Sequence, residues 1–365
     1  MAQEDPYPTL SIVIPVYNEP DWIQRSVPRV AEALKASRWR DPEIVVIDDG
    51  STEETARILD ALRVEVPLRV VHQANLGRLE ARRAGLREAK GQYTFFLDAR
   101  VLLTGGLDGL VDRVSEGKTV WNAHCEVSYT NVLGAFWDAV PRIFWHEYLS
   151  NPRTVSYGIA EFQRYPKGTT GFVAPTAVLR DAYGAFRSSY ADNRHANDDT
   201  TLIEWIARRH TIWLSPEFSI AYEPRHSMRR FIPHAFHRGV VFVDGFLHPG
   251  NPYAPAIVGF YGGSVATLFL ARRHRSVIPG AYALAVALAV GAGMYRRLNP
   301  RHLRALAAVT PVFVTAYGAG IWAGLLMKLR DSFKPPHQAA HSPVQLLASA
   351  NAPEASPVQQ LEPEW

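Results

Sequence analysis

Short hydrophobic runs alternate with longer amphipathic stretches through the first hundred residues of the chain. The runs are rich in β-branched and aromatic residues, which predicts β-strands at 10–16, 43–48, 68–72 and 93–97. Between the strands, apolar residues such as Ile23, Val27 and Val30 recur every three to four positions, which predicts helices that cover a sheet. This order of strands and helices predicts an α/β domain with a mostly parallel sheet.

The regular alternation ends near Thr119, and strand-like and helix-like segments mix from there to Pro224. We interpret residues 1–224 as one domain whose later half contributes substrate-binding elements. Residues 225–253 are basic and aromatic, which predicts a connector that lies along a membrane surface.

Three apolar segments follow, at 254–271, 278–295 and 305–327. The last two contain no charged residue and approach the length of a helix that spans a bilayer. Both connecting loops are basic, so three full crossings would place one basic loop outside, against the positive-inside tendency. We expect residues 254–330 to form transmembrane or membrane-associated helices, of which at least one can be re-entrant or interfacial. Buried helices of a soluble domain are the alternative.

The two ends of the chain are more polar. Residues 331–365 are rich in Pro, Ala, Gln and Ser, and we expect them to be disordered. Residues 1–8 are polar and acidic, without the basic and apolar pattern of a secretory signal. These features predict a protein of the cytoplasmic membrane whose first domain faces the cytoplasm.

Composition excludes several classes of protein. With 47 % hydrophobic and 20 % charged residues, the chain can build a sizeable core. The single cysteine, Cys125, excludes an intramolecular disulfide and a zinc site built from sulfur. A formal net charge of +4 is too balanced to indicate a nucleic-acid partner.

Polar motifs follow the predicted strands, at the edge where open α/β sheets bind ligands. Pro15–Glu19 ends the first strand and Asp48–Thr52 ends the second. Their carboxylates can accept hydrogen bonds from a base or a ribose, although a plain turn with a helix cap is a common role for such a sequence. The arginines of 81–85 can clamp a diphosphate or form a solvated basic face, and Tyr93–Arg100 ends the fourth strand with a carboxylate and an arginine.

In this combination and order, the motifs resemble those of the family-2 glycosyltransferases of GT-A fold. The family pattern Pro-x-Tyr-Asn-Glu, Asp-Asp-Gly-Ser-Thr, Asn-x-Gly, Ala-Arg-Asn-x-Gly and Phe-Leu-Asp-x-Asp is matched at nearly all positions within residues 11–100. The resemblance implies a Rossmann-like mixed sheet followed by C-terminal membrane-associated helices. It also implies that the sugar nucleotide contacts Pro15, Tyr17, Glu19, Asp48, Asp49, Arg82, Asp98 and Arg100.

The family's metal-binding Asp-x-Asp reads Asp98-Ala99-Arg100 in this chain, which puts Mg²⁺ or Mn²⁺ dependence in doubt. Asp98 alone can still hold a cation, because magnesium ordinarily uses one or two carboxylates together with phosphate oxygens. Alternatively, Arg100 neutralises the leaving diphosphate directly. This departure and the apolar C-terminal segments resemble the succinoglycan-biosynthesis type, a membrane-associated subgroup that adds sugars to lipid-linked intermediates.

The later half contains a candidate base. Asn197–Leu202 matches the family's Glu-Asp-x-x-Leu, which implies that Asp199 is the general base and Asp198 its neighbour. An acceptor hydroxyl is a poor nucleophile, and a positioned base can contribute about 10²–10⁴-fold to its reaction. The alternative is that both carboxylates only cap the following helix.

Two more segments resemble parts of the family's site. Lys167–Phe172 is similar to a glycine-containing acceptor segment, which implies a role for Gly171. The basic stretch at 225–239 occupies the place of a segment that closes over the diphosphate, which implies contacts from His237 and Arg238. Contact of this stretch with anionic lipid headgroups is a compatible alternative.

The sequence therefore predicts an inverting glycosyltransferase that moves a hexose from a nucleotide-diphosphate sugar to a lipid-linked or polysaccharide acceptor. The expected donor is a UDP-sugar, and membrane lipids are expected partners. A catalytically silent nucleotide-sugar-binding membrane assembly subunit is one alternative. A soluble transferase that acts on protein or small-molecule acceptors is another.

Overall fold

The computed structural model of the protein describes residues 7–333. Within this range nine strands form one mixed sheet: β1 (Thr9–Val16), β2 (Arg40–Asp49), β3 (Leu68–Gln73), β4 (Tyr93–Phe96), β5 (Val101–Gly105), β6 (Trp121–Val127), β7 (Val155–Tyr157), β8 (Phe172–Pro175) and β9 (Ile212–Tyr222). The four strands predicted from hydrophobic pattern are confirmed as β1 to β4.

The same range contains twelve α-helices: α1 (Pro20–Lys35), α2 (Glu53–Ala61), α3 (Arg78–Glu88), α4 (Gly109–Ser115), α5 (Val132–Phe144), α6 (His146–Leu149), α7 (Thr176–Ala185), α8 (Thr200–Ala207), α9 (Met228–Phe246), α10 (Ala254–Ala271), α11 (Val277–Tyr295) and α12 (Pro300–Ser332). The last helix ends beyond the expected boundary at residue 330. The predicted disordered tail, apart from residues 331–333, lies outside the described residues.

The sheet has the strand order β3-β2-β1-β4-β8-β6-β9-β5, and β7 also pairs with β9. β1 pairs in parallel with β2 and β4, and β2 pairs in parallel with β3. β8 runs antiparallel to both β4 and β6. The first hundred residues therefore build the parallel part, and the later half adds antiparallel strands beside it.

Helices cover both faces of this sheet. Successive strand residues point to opposite faces, so Ile12 and Val13 belong to different hydrophobic clusters. On one face, Ile12 and Ile44 pack with the buried side of α1, including Val27. Each fully buried side chain of this size stabilises the fold by about 1.5–3 kcal/mol relative to exposure. The result is the mixed α/β sheet of the GT-A type, as predicted.

The C-terminal part contains three helices long and apolar enough to cross a membrane, α10, α11 and α12. In α10 and in α11 only 6 % of the apolar window is buried inside the protein, whereas 44 % of that of α12 is buried. α12 packs along α9 so closely that a Cβ on Gly320 would lie 2.0 Å from the carbonyl oxygen of Phe236. The segment predicted as a connector is thus helical, and its inner face is part of the hydrophobic core.

Candidate active site

The motifs that follow β1 and β2 are held together at one edge of the sheet. Asn18 has a left-handed backbone, with φ of 52°. Its side-chain oxygen accepts a hydrogen bond from the Thr52 amide at 2.7 Å, and its own amide donates to the Ser51 hydroxyl at 3.0 Å. Tyr17, the residue before Asn18, is 51 % exposed. Pro15 lies within β1 opposite Ile47.

Asp48 and Asp49 are buried, and both carboxylates are occupied by neighbouring groups. Asp48 accepts from the Ser51 amide at 3.0 Å and pairs with the His72 ring at 2.7 Å. Asp49 accepts from the amides of Leu76 and Gly77 at 2.9 and 2.8 Å. The Asp49 contacts fix the turn that leads into α3, and the Asp48 contacts fix the turn after β2 and bind β3.

Arg82 on α3 joins two motifs that are distant in the sequence. Its guanidinium donates to Asp98 and to Asp198, each at 2.6 Å, and only 1 % of the side chain is exposed. Arg78, one turn earlier, donates to Asp198 at 2.8 Å. The small and apolar residues Ala81, Ala84 and Leu86 seat α3 on the sheet, which holds these arginines at its ligand edge. Arg82 therefore positions carboxylates from inside the protein.

Asp199 lies beside this cluster and keeps 37 % of its side chain exposed. It accepts hydrogen bonds from the amide and the hydroxyl of Thr169, and lies 3.6 Å from Arg78 and 3.8 Å from Arg82. Burial raises the pKa of Asp199, but Arg78, Arg82 and the Thr169 donors outweigh it and hold the pKa well below its usual value. The carboxylate is thus ionised and open to a ligand.

The loop that carries these carboxylates is attached to α9 by Asp244, which the sequence motifs did not indicate. The Asp244 carboxylate accepts from the Asn197 amide at 2.7 Å, and from the amide and hydroxyl of Ser189 at 2.7 and 2.6 Å. Asn197 in turn accepts from the Thr200 amide at 3.0 Å, which begins α8. An isolated acidic residue in an amphipathic helix gives no sequence signal for such a role.

Arg100, at the departure from the Asp-x-Asp pattern, turns towards the ends of β1 and β9. It donates to the Glu223 carbonyl oxygen at 2.7 Å and lies 3.9 Å from the Glu19 carboxylate. Arg225 pairs with the same Glu19 oxygen at 2.9 Å. Two of the Arg100 nitrogens, Nε and Nη1, are buried with no hydrogen-bond partner in the described part of the chain. One carboxylate thus faces two guanidinium groups.

α9 adds histidines to this cationic side of the site. Burial, together with the nearby Arg78, His195 and Arg238, lowers the pKa of His237 to about 4. Arg238 donates to the His234 ring at 3.2 Å, and the His237 ring lies 5.6 Å from that of His195. Of the predicted pair, His237 is near Arg78, one of the arginines that bind Asp198, whereas Arg238 lies against His234 and Trp137.

Gly171 has a structural reason for being glycine. Its φ is +76°, and a Cβ there would lie 2.6 Å from Ile220 and 2.9 Å from Ala123. Its amide donates to Phe96 and its carbonyl accepts from Ala123, which seats the Thr169–Thr170 turn against β4. Thr170 accepts from the Asp98 amide at 3.0 Å, so this turn bridges Asp98 and Asp199.

The side chains at this edge of the sheet do not provide the ligands that a divalent metal ion needs. The Asp98 carboxylate is paired with Arg82, and Arg100 supplies a cation where a second carboxylate would be needed. Within residues 7–333, no group of three or more His, Cys, Asp or Glu side chains is arranged to hold a metal ion.

The first part of the chain is similar in sequence to known glycosyltransferases. Residues 11–131 match the family model described as "Glycosyl transferase family 2". The "Uncharacterized glycosyltransferase YibD" of Escherichia coli is 37 % identical over 91 residues, which are 25 % of this chain and 25 % of that protein. An "Undecaprenyl-phosphate 4-deoxy-4-formamido-L-arabinose transferase" of Pseudomonas fluorescens is 41 % identical over 99 residues, 26 % of this chain and 29 % of that protein. The chain thus matches less than a third of the length of these relatives.

A solved structure extends the similarity in fold over most of the chain. It is the mannosyltransferase PcManGT from Pyrobaculum calidifontis, in complex with GDP-Man and Mn²⁺. The similarity has a TM-score of 0.50 at 16 % sequence identity, and covers 87 % of this chain and 88 % of that one. At this identity the comparison concerns the fold.

Proposed function

We propose that the protein is an inverting glycosyltransferase that moves a hexose from a nucleotide-diphosphate sugar to a lipid-linked or polysaccharide acceptor. One observation carries the proposal. Arg82 joins Asp98 and Asp198 at 2.6 Å each, so that the motifs near residues 82, 98 and 198 form one site beside the partly exposed Asp199. The match of residues 11–131 to the glycosyltransferase model supports it.

In this proposal the nucleotide lies along the ends of β1 and β2. Tyr17 is exposed there and can stack on the base, which we expect to be uracil. Asp49 is occupied by backbone amides, so we assign it to holding the loop that carries Arg78 rather than to a direct contact. Asp98, whose carboxylate is 30 % exposed, faces the ribose and diphosphate.

Asp199 acts as the base. The acceptor hydroxyl oxygen attacks the anomeric carbon, its proton passes to Asp199, and the bond from that carbon to the diphosphate oxygen breaks. A single displacement of this kind inverts the anomeric centre. Arg78 and Arg82 keep Asp199 ionised before the donor binds, and the charge of a bound diphosphate would weaken their hold on it, which makes the carboxylate more basic when it is needed.

Arg100 and Arg225 neutralise the leaving diphosphate. They face the single carboxylate of Glu19, and two Arg100 nitrogens have no hydrogen-bond partner in the described part of the chain. Guanidinium groups pair well with phosphate oxygens and can stabilise the charge that develops as the diphosphate leaves. A divalent cation is then not required for transfer.

A lipid-linked acceptor agrees with the apolar C-terminal helices. The name of the Pseudomonas relative refers to undecaprenyl phosphate, a lipid carrier. An enzyme attached to the membrane can search for such an acceptor in two dimensions. We also propose that the protein belongs to the succinoglycan-biosynthesis-type subgroup and that its catalytic domain lies on the cytoplasmic side of the membrane.

A donor panel tests the proposal. The full-length chain in detergent is incubated with UDP-glucose, UDP-galactose, UDP-N-acetylglucosamine or GDP-mannose and with a short-chain polyprenyl phosphate or its diphosphate-linked sugar. We expect one combination to release nucleoside diphosphate and to give a product of inverted anomeric configuration. Nucleotide binding without turnover for any combination would instead support the silent assembly subunit, and no binding would contradict both.

A further inference from the structure

The three apolar helices differ in what covers them, although each is long enough to cross a membrane. Buried residues recur along one side of α12 from His302 to Gly324. This side packs against α9 and α5, both of which contact the domain that carries the candidate active site. Most of α10 and α11, in contrast, is exposed.

Both ends of α12 are bound to residues of the first domain. Near its start, His302 contacts Asp138 at 2.9 Å and Tyr129 at 3.0 Å. Near its end, Asp331 accepts from the Ala191 amide at 2.9 Å. The 29 steps from residue 302 to residue 331 span about 44 Å of helix, more than the thickness of a hydrocarbon core, about 30 Å. A helix held at both ends by one folded domain cannot place that length across a bilayer.

α9 gives a second, independent reason. It runs parallel to α12, with Gly239 against Gly320 and Leu247 accepting from Lys328. If α12 crossed the membrane, α9 would have to enter with it. α9 carries Arg238 and the buried Asp244, whose carboxylate binds the loop before α8, and charged groups are costly in hydrocarbon.

α11 lies alongside α12. Gly293 lies against Leu303 and Leu306, and Tyr282 hydrogen-bonds Thr315 at 2.7 Å, so the two helices run antiparallel side by side. α10 packs over the later part of α12, where Tyr261 donates to the Ile321 carbonyl oxygen at 3.0 Å. All three helices therefore form one layer on the same side of the domain.

The outer face of this layer is apolar and has a basic rim. Its exposed side chains include Leu268, Phe269, Leu284 and Leu288, each at least 60 % exposed. The loops beside it carry Arg272, Arg273, Arg275, Arg296 and Arg297. Apolar side chains with arginines at the margin match the interior and the anionic surface of one bilayer leaflet.

We propose that α10, α11 and α12 form a monotopic platform that enters one leaflet of an anionic bilayer without crossing it. The platform keeps every basic loop on the side of the catalytic domain, which removes the conflict with the positive-inside tendency.

Labelling of single cysteines tests the topology. Cys125→Ser removes the native thiol, and Arg273→Cys, Arg297→Cys or, in the catalytic domain, Arg187→Cys introduces one exposed thiol at a time. Each variant is treated with a membrane-impermeant maleimide in sealed right-side-out and inverted membrane vesicles. We expect all three positions to be labelled from the same side. Labelling of position 273 from the side opposite to position 187 would overturn the proposal, because α10 would then cross.

A second experiment tests the partner with the intact chain. Phe269→Glu combined with Leu288→Glu should lower partitioning to phosphatidylglycerol vesicles by about tenfold or more, while Ile159→Glu on the catalytic domain should change it less than about twofold. Unchanged partitioning of the double variant would contradict the platform. Circular dichroism checks that each variant is folded.

Discussion

At the scale of single residues, the proposed function assigns the neutralisation of the diphosphate charge to Arg100 and Arg225. If Arg100 and Arg225 do this, UDP binding to the wild-type chain should be the same in EDTA as in Mn²⁺. Arg100→Asp should weaken UDP binding in EDTA by about tenfold or more, since a hydrogen bond to a charged group contributes about 1.5–3 kcal/mol. Mn²⁺ should restore part of the UDP affinity of Arg100→Asp.

Calorimetric titration with UDP and with UMP measures this effect, because UMP lacks the second phosphate and should respond much less. Arg113→Gln, in an exposed ion pair with Glu217, is the matched control. A strict Mn²⁺ requirement in the wild-type chain would show that Arg100 does not replace the cation, whether or not the protein transfers sugars.

His237 predicts a pH dependence of stability. Its pKa in the fold is about 4, below the ordinary value of 6.5, because burial and the nearby cations disfavour the protonated ring. As pH falls from 6.5 towards 4, the unfolded chain takes up a proton that the fold excludes, so the fold loses stability. We expect His237→Gln to reduce the loss between pH 7 and pH 5 by about 2 kcal/mol, or about 4–8 °C in the thermal midpoint. An identical pH profile in the variant would contradict this.

The motifs named most of the site's residues but not the contacts that they make. Arg82 and Asp49 lie in the predicted motifs, yet the structure buries one between two carboxylates and saturates the other with amides. A sequence pattern identifies residue types near a ligand edge. Whether a side chain faces the ligand or a neighbour depends on residues more than a hundred positions away, such as Asp198.

At the scale of elements, Asp244 connects α9 to the loop before α8. Replacing it with alanine leaves the buried amide of Asn197 and the partly buried amide of Ser189 without an acceptor. We expect Asp244→Ala to lower stability by about 3 kcal/mol, or about 6 °C or more in the thermal midpoint. Turnover should fall further than UDP binding, because the loop also carries Asp198 and Asp199.

Differential scanning fluorimetry and the donor assay check these two effects. Asp181→Ala, on an exposed position of α7, should change stability by about 0.5 kcal/mol or less. Equal stability of the two alanine variants would mean that the α9 contact does not hold the loop.

The strands β1 to β4 and the helices between them were predictable because their periodicity is local. The later strands were not, since β8 depends on antiparallel pairing with β4 and β6, and β9 pairs with β5, β6 and β7. Such short strands are defined by partners distant in the chain rather than by their own pattern. The burial of α9 against α12 escaped prediction for the same reason.

At the scale of the whole molecule, the fold joins a GT-A domain to a hydrophobic layer through α9. Sequence hydropathy identified three apolar segments but not their orientation relative to the bilayer. Length and composition are the same for a helix that crosses the bilayer and for one that lies along its surface. The contacts of α12 at His302 and Asp331 support the proposal that α12 lies beside the domain and does not cross the bilayer. The loop before α8 and the apolar helix α12 thus both pack against α9.

The central claim is that Asp199 is the base of a sugar transfer performed at the site that Arg82 assembles. The most direct measurement compares wild type, Asp199→Asn and the exposed control Asp181→Asn, with the donor that the panel identifies. We predict that Asp199→Asn lowers kcat by about 10²-fold or more while the donor Kd changes less than about threefold, and that Asp181→Asn matches wild type. Retention of full turnover by Asp199→Asn would contradict the account.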